Sequence, residues 1–360
     1  MDNLFIDIHA VQTVPPSCVN RDDTGSPKTA IYGGVERSRV SSQAWKHAMR
    51  EYFCNVFSPE KLGSRTKKVP QMIADAILQI SPDFGEEKAR AAALEALKAI
   101  GIKVDDGKLE NAAMFFISRE QIKALANLAV TGKEKNEYKK ECKKAIKENP
   151  SIDILLFGRM VADDPDLNYD AVSQVAHAIS THAVHTEYDY FTAVDDEQAE
   201  DQSGAGHLGT IEFNSSTMYR YATINMSELF KFLGSEAPKV AAGFIEAFVR
   251  SMPTGKQNTF ANRTLPDMVY VTVRKDQPVN FAGAFESAVK NTGTGYAEKS
   301  CTALLEYAKK MYQTFAEAPE LALGCGGDST LINYAETMPF NRLLTCLEDF
   351  LDQQDKEEKS

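Results

Sequence analysis

Apolar and polar residues alternate over residues 3–14, 152–160, 217–226 and 268–273. A period of two places successive side chains on opposite faces, so these stretches predict four strands. Helical spacing fills 41–57 and 236–251, giving the order strand, helix, strand, strand, helix, strand. An α+β core of ferredoxin-like, RRM-type topology has that order.

Two insertions interrupt the core. Residues 58–150 carry helical spacing near 68–80, 86–100, 109–130 and 134–148, broken at Ser81, Pro82, Gly101, Gly107 and Gly132, which predicts a helical subdomain. Its last helix bears a stripe of Lys139, Lys140, Lys143, Lys144 and Lys147. Lys133 and Lys135 precede the stripe, and Glu134, Glu137 and Glu141 supply partners that would make it an ordinary solvated face. The second insertion, near 185–215, has two β-prone pieces around an acidic, Gly-containing middle and predicts a projecting hairpin. Tyr188, Tyr190, Phe191, Leu208 and Phe213 would leave apolar surface there unless a partner covered it. The predicted organisation is a core of 1–57 and 151–290, an insertion of 58–150, an arm of 186–216 and a helical extension of 291–360. Within the extension a helix is expected at 340–354, while CGGDST has no assignment.

Chemistry concentrates in residues 15–50, where a polar Gly- and Pro-containing loop hands over to a basic helix. Ser41 and Ser42 precede the helical run, which is an N-cap signal. Gln43, Lys46, His47 and Arg50 share one face, while Trp45, Ala48, Met49 and Tyr52 fill the other. Serine hydroxyls, first-turn N–H groups and two cations suit a phosphate, although a plain capped amphipathic helix has the same spacing.

The net charge of −11 argues against a general affinity for polyanions, but the charge is uneven. Arg37, Arg39, Lys46 and Arg50 make one locally basic segment, and Lys61, Arg65, Lys67 and Lys68 another. Acid gathers at 187–201 and in the tail from Glu348 to Glu358, so a polyanion site would be confined to one groove. No apolar run of membrane length and no leader pattern is visible, and the expected location is the cytoplasm. Six scattered cysteines, Cys18, Cys54, Cys142, Cys301, Cys325 and Cys346, form no CxxC pair and predict neither a zinc site nor a disulfide framework.

No catalytic constellation is readable, and no cofactor is expected. His177, His182 and His185 stand at offsets that spread them too widely on a helix to converge on a metal, and packed histidines at a helix end are the expectation. His9 lies on the first strand, where an RRM-fold RNA-processing endonuclease could place a catalytic imidazole, but no second acid or base accompanies it. That nuclease and a protein interaction module with merely solvated basic stripes are the competing readings.

The ordered motifs IDIHAVQTVPPSC, NRDD, the GG pair, RVSSQ, IDILLFGRM, AHAISTHAV, DYFTAVDD and HLGTIEFNSSTMYRYATIN together resemble the CasC family. Members of that family are the repeated backbone subunits of Cascade, the type I-E CRISPR surveillance complex. The resemblance covers residues 1–55 and 150–275 and implies a palm, helical fingers and a thumb. It implies crRNA binding by Asn20, Arg21, Lys28, Ser41, Ser42, Gln43, Lys46, Arg50 and Met160. It places Tyr190, Phe191, Thr192, His207 and Leu208 in a thumb that displaces bases. The five stripe lysines become candidates for the target DNA strand. Implied partners are crRNA, target DNA, other Cascade subunits and further copies of the chain, six per complex, joined head to tail; no membrane is involved.

Overall fold

The structure is a computed structural model describing residues 3–105, 107–132, 135–161, 164–193, 207–327 and 329–359. Two compact units emerge, Met1–Tyr52 with Val175–Ser360, and Phe53–Gln174.

The main elements of the first unit are β1 (Phe5–Ser17), β2 (Thr29–Tyr32), β3 (Val35–Val40), α1 (Ser42–Tyr52), β4 (Ala178–Ser180), β5 (Glu187–Ala193) and β6 (His207–Asn225). They continue with α2 (Met226–Leu233), α3 (Ala237–Arg250), β7 (Met268–Arg274), α4 (Ala297–Thr314), β8 (Leu321–Gly326), β9 (Glu336–Thr337) and α5 (Phe340–Lys359). Strand order across the sheet is β9-β8-β7-β1-β6-β4-β3-β2, and β5 pairs with the far end of β6. Pairing is antiparallel throughout this path except between β8 and β9.

Alternation along β1 sorts two cores. Ile6, Ile8 and Ala10 are fully buried on one face. Arg220, in register with Ala10, meets Trp45 of α1 and Phe248 of α3 on that side. On the other face Val11 packs with Tyr219, Tyr221, Met268 and Tyr270 beneath Phe281, Phe285 and the Leu304 and Leu305 side of α4.

In the second unit, helices Val69–Ile80, Glu86–Ala99, Arg119–Thr131 and Lys135–Lys147 enclose an apolar core. Ala89, Ala93 and Ala96 keep one helix slim enough to approach its neighbours. Ser118 and Gln121 form a capping box, which starts the third helix at Arg119 instead of at 109; short strands Glu110–Asn111 and Phe115–Ile117 occupy the preceding residues.

The expected strand at 152–160 is not formed. Ile152–Phe157 is a helix, ended by Gly158 at φ +75°. Arg159 belongs with the second unit, donating to the carbonyls of Leu167 (2.9 Å), Phe116 (3.1 Å) and Ile146 (3.1 Å). Residues 151–174, expected in the palm, thus pack with the helical insertion. β4 is the strand that lies beyond β6. The C-terminal extension is also more than helical, because β8 and β9 enlarge the sheet before α5 buries Leu343, Leu347 and Leu351. Gly326, at φ +73°, sits where any side chain would strike the Asp267 carbonyl, which accounts for one glycine of CGGDST. Among the described residues no helix is long and apolar enough to cross a membrane.

Candidate nucleic-acid interface

The loop before α1 is closed by its own polar groups. Asp22 accepts from the Thr24 N–H (2.9 Å), the Thr24 hydroxyl (2.7 Å) and the Ser26 N–H (3.0 Å), and these bonds, the Thr24 hydroxyl foremost, hold its carboxyl below the usual range. Lys28 N–H returns to the Asn20 carbonyl at 2.8 Å. Gly33 and Gly34, at φ +60° and +77°, make the two-residue turn between β2 and β3, where positive φ is required at both positions.

Pairing of Val40 with Ala178 aligns the end of β3 with β4 and brings His177 to the head of α1. Ser41 is the cap. Its Oγ accepts from Ala44 N–H at 3.2 Å and its carbonyl from Trp45 N–H at 3.1 Å. The Asn20 side-chain carbonyl accepts from Ser41 N–H at 2.9 Å, and His177 Nδ1 accepts from Ser42 N–H at 3.0 Å. The expectation that this turn offers a set of unpaired N–H groups therefore needs correcting. Buried Ser41 is occupied as a cap, and Gln43 N–H is the first-turn donor without a hydrogen-bond partner among the described residues.

Side chains facing outward here are Gln43, which is exposed, and half-buried Ser42, Lys46 and Arg50. Burial lowers the Lys46 ammonium from its ordinary value. Arg21 is exposed, and Lys28 and Arg39 are close enough to His177 to reinforce the lowering of its pKa, which burial begins. Arg37, counted among the local cations from sequence, is turned inward. It donates to the carbonyls of Tyr32 (3.2 Å), Ser180 (2.9 Å) and Phe285 (2.8 Å). The structure thus gathers Asn20, Lys28, Ser41, Ser42, Gln43 and Lys46 at the head of α1, with Arg50 in the last turn of the same helix. His177 and Arg39 belong to the same group and were missed as site residues, because 135 residues separate His177 from its Ser42 partner.

The arm is a true hairpin over Glu187–Ala193 and His207–Phe213, and its tip, including Val194, Asp195 and Asp196 of DYFTAVDD, lies outside the described residues. The side chains of His207 and Leu208 also lie outside them. Tyr188 and Tyr190 are 67% and 64% exposed and alternate with Phe191, which lies across Gly209 where a Cβ would collide with its ring. Thr192 is exposed, and Phe213 at the arm's base meets Phe260 with 5.8 Å between ring centroids.

Met160 lies in the second unit and is 88% exposed. Of the stripe, Lys139, Lys140, Lys144 and Lys147 are exposed, whereas Lys143 pairs with Asp164 (3.0 Å) and Asp166 (3.3 Å). Lys133 and Glu134 are outside the described residues.

The three clustered histidines are not on a helix, as the metal argument assumed. His182 is buried against Tyr296, with Nδ1 to the Ala183 carbonyl (2.8 Å) and Nε2 accepting from Thr217 N–H (3.0 Å), while His185 is exposed. His9 is completely buried, stacked on Phe281 with 4.4 Å between centroids and 2.9 Å from the Tyr219 hydroxyl. A scissile phosphate has no access to that ring, so nothing at His9 favours the nuclease reading. The six cysteines are all free thiols.

Fold and site together define an α+β sheet protein with a capped cationic helix head and a projecting two-stranded arm. The chain belongs to the family of CT1975-like proteins, whose model matches residues 6–349. Among solved structures it is similar to a chain of a "CRISPR RNA-guided surveillance complex, pre-nicking", with 31% identity, a TM-score of 0.76, and coverage of 95% of this chain and 100% of that one. A chain of a "CRISPR RNA-guided surveillance complex" is similar at 29% identity and a TM-score of 0.63, with 96% and 99% covered. No curated protein matches the chain.

Proposed function

We propose that the protein is a non-catalytic crRNA-binding backbone subunit of a CRISPR surveillance complex, of the CasC kind found in type I-E Cascade. The observation that carries this reading is similarity along the full length of both chains to a component of an RNA-guided surveillance complex, at 31% identity. In this reading the order β7-β1-β6-β4 is the 4-1-3-2 sheet of a ferredoxin-like palm, Phe53–Gln174 forms the fingers, and the β5–β6 hairpin is the thumb.

Arg21, Lys28, Lys46 and Arg50 supply positive charge, and Gln43 N–H and the Ser42 hydroxyl supply donors, all suited to phosphate and ribose oxygens. Such contacts fix the register of the strand without reading its bases. The guide's base edges then stay free to pair with target DNA, so specificity is delegated to the RNA. Exposed arm aromatics that a neighbouring copy covers would join subunits head to tail and break the guide into short segments.

Incubating the protein with a ladder of labelled single-stranded RNAs and Mg²⁺, then running native and denaturing gels, tests the reading. Intact RNA retarded in steps of constant length increment is the expected result. Cut RNA would overturn the non-catalytic part, and RNA unshifted at low salt would overturn the whole.

A further inference from the structure

We propose that His177 is a further RNA-backbone contact, donating a neutral hydrogen bond from Nε2 to a phosphate oxygen at the head of α1. This rests on the RNA-binding reading above.

Geometry fixes the tautomer. Ser42 N–H points at His177 Nδ1 from 3.0 Å, and a backbone N–H only donates, so Nδ1 carries a lone pair and the ring proton sits on Nε2. The imidazole is exposed, and Nε2 has no hydrogen-bond partner among the described residues. Lys28 and Arg39 lie close enough to repel a charge on the ring. An Nε2–H on an exposed ring with two cations nearby, its Ser42 partner next in sequence to the unpartnered Gln43 N–H, makes a small array of donors without an acceptor. A phosphate oxygen complements it in both charge and hydrogen bonding.

The neutral state has a measurable consequence. A protonated ring would set Nδ1–H against Ser42 N–H and break the bond that holds the imidazole in place. His177 therefore adds a hydrogen bond to the clamp without adding a charge. Lysines that neutralise phosphates release counterions, so their loss makes the salt dependence of binding shallower. Loss of a neutral donor weakens binding and leaves that slope as it was.

The test is fluorescence anisotropy of labelled single-stranded RNA with the full chain over a series of salt concentrations, using wild type, His177→Ala, His177→Asn and His177→Gln. Asn keeps an acceptor near the Nδ1 position for Ser42 N–H, but its NH2 group falls at the ring's Cδ2 position, short of Nε2, whereas the longer Gln amide reaches the Nε2 position. Ala and Asn are expected to weaken binding about five- to tenfold with an unchanged salt slope, and Gln to recover most of the loss. Thermal melting shows whether each variant folds, and Asn serves as the well-folded case if Ala does not. Wild-type affinity in the Asn variant would reduce His177 to a partner of Ser42 and overturn the inference. A shallower slope in that variant would overturn it too, because the ring would then bind as a cation. Failure of wild type itself to bind would remove the RNA reading and this inference with it.

Discussion

The Arg220 guanidinium lies 3.6 Å above the ring of Trp45 and 4.4 Å from that of Phe248. It also donates to Gln12 Oε1 at 2.6 Å and to the Phe248 carbonyl. Burial pushes it down to about 9, and no carboxylate pairs with it among the described residues. Two aromatic faces and two oxygens stand in for a counter-ion. One side chain on β6 thereby ties down α1, which carries the clamp, and α3.

Trp45→Ala should consequently unfold the anchor of the clamp as well as open a cavity. The expected cost is about 3–5 kcal/mol, the range for truncating a buried aromatic. Trp45 is the chain's single tryptophan, so urea unfolding of the variant has to be followed by circular dichroism. Trp45→Phe, which keeps a ring under Arg220, should lose well under half as much. Equal losses for the two variants would mean that the cation–ring contact has no part in holding α1.

Asp7 and His9 sit two residues apart on one face of β1 and pull stability in opposite directions with pH. Burial raises Asp7 to about 6, and burial, helped by Arg274, lowers His9 to about 3. The Asp7 contribution is complete below 3.8, its unfolded value, and is lost as pH rises toward 6. The His9 contribution is complete above 6.5 and is lost as pH falls toward 3. Between pH 4 and 6 the two offset one another. His9→Phe keeps the stack on Phe281 and removes one of them. From pH 6.5 down to pH 4, wild type should lose roughly 3 kcal/mol relative to His9→Phe. Urea midpoints of both proteins across that interval measure the difference, in which all other titrations cancel. A pH-independent difference would mean that His9 titrates normally.

The lysine stripe divides into neighbours with different prospects. Lys143 is already engaged by Asp164 and Asp166, whereas Lys140 is exposed on the same helix. If the stripe meets a DNA strand, Lys140→Ala should weaken target-strand binding by guide-loaded complex and make its salt dependence shallower, while Lys143→Ala changes neither. Filter binding over a salt series compares the two. Matching losses would show that Lys143 leaves its carboxylates to reach DNA.

Where the sequence was legible, local physics decided the structure. Ser41 caps α1 as its position before the helical run predicted, and the strand at 268–273 and helix at 236–251 recur as Met268–Arg274 and Ala237–Arg250. IDILLFGRM misled because a short apolar run reads equally as a buried strand or a buried helix. Gly158 at positive φ and the inward Arg159, which decide the matter, act through carbonyls far away in sequence. Ala178–Ser180 is three residues long, too short for any alternation to register. His177 depends on a cross-chain partner, for which single-sequence spacing carries no signal.

The arm should be separable from the sheet that supports it. β6 pairs with β1 from Asn214 onward, and residues 207–213 pair with β5 alone. A two-stranded ribbon with Tyr188 and Tyr190 in solvent gains little from its own burial, so its removal takes little away from the palm. Replacing residues 190–212 by a short Gly-rich turn should leave the urea midpoint within about 1 kcal/mol of wild type. RNA binding should persist through the head of α1, weaker and without cooperativity, since the surface joining one copy to the next has gone. Titration of a long single-stranded RNA by anisotropy gives the steepness of binding directly. A curve as steep as that of wild type would show that the arm is not what links neighbouring copies.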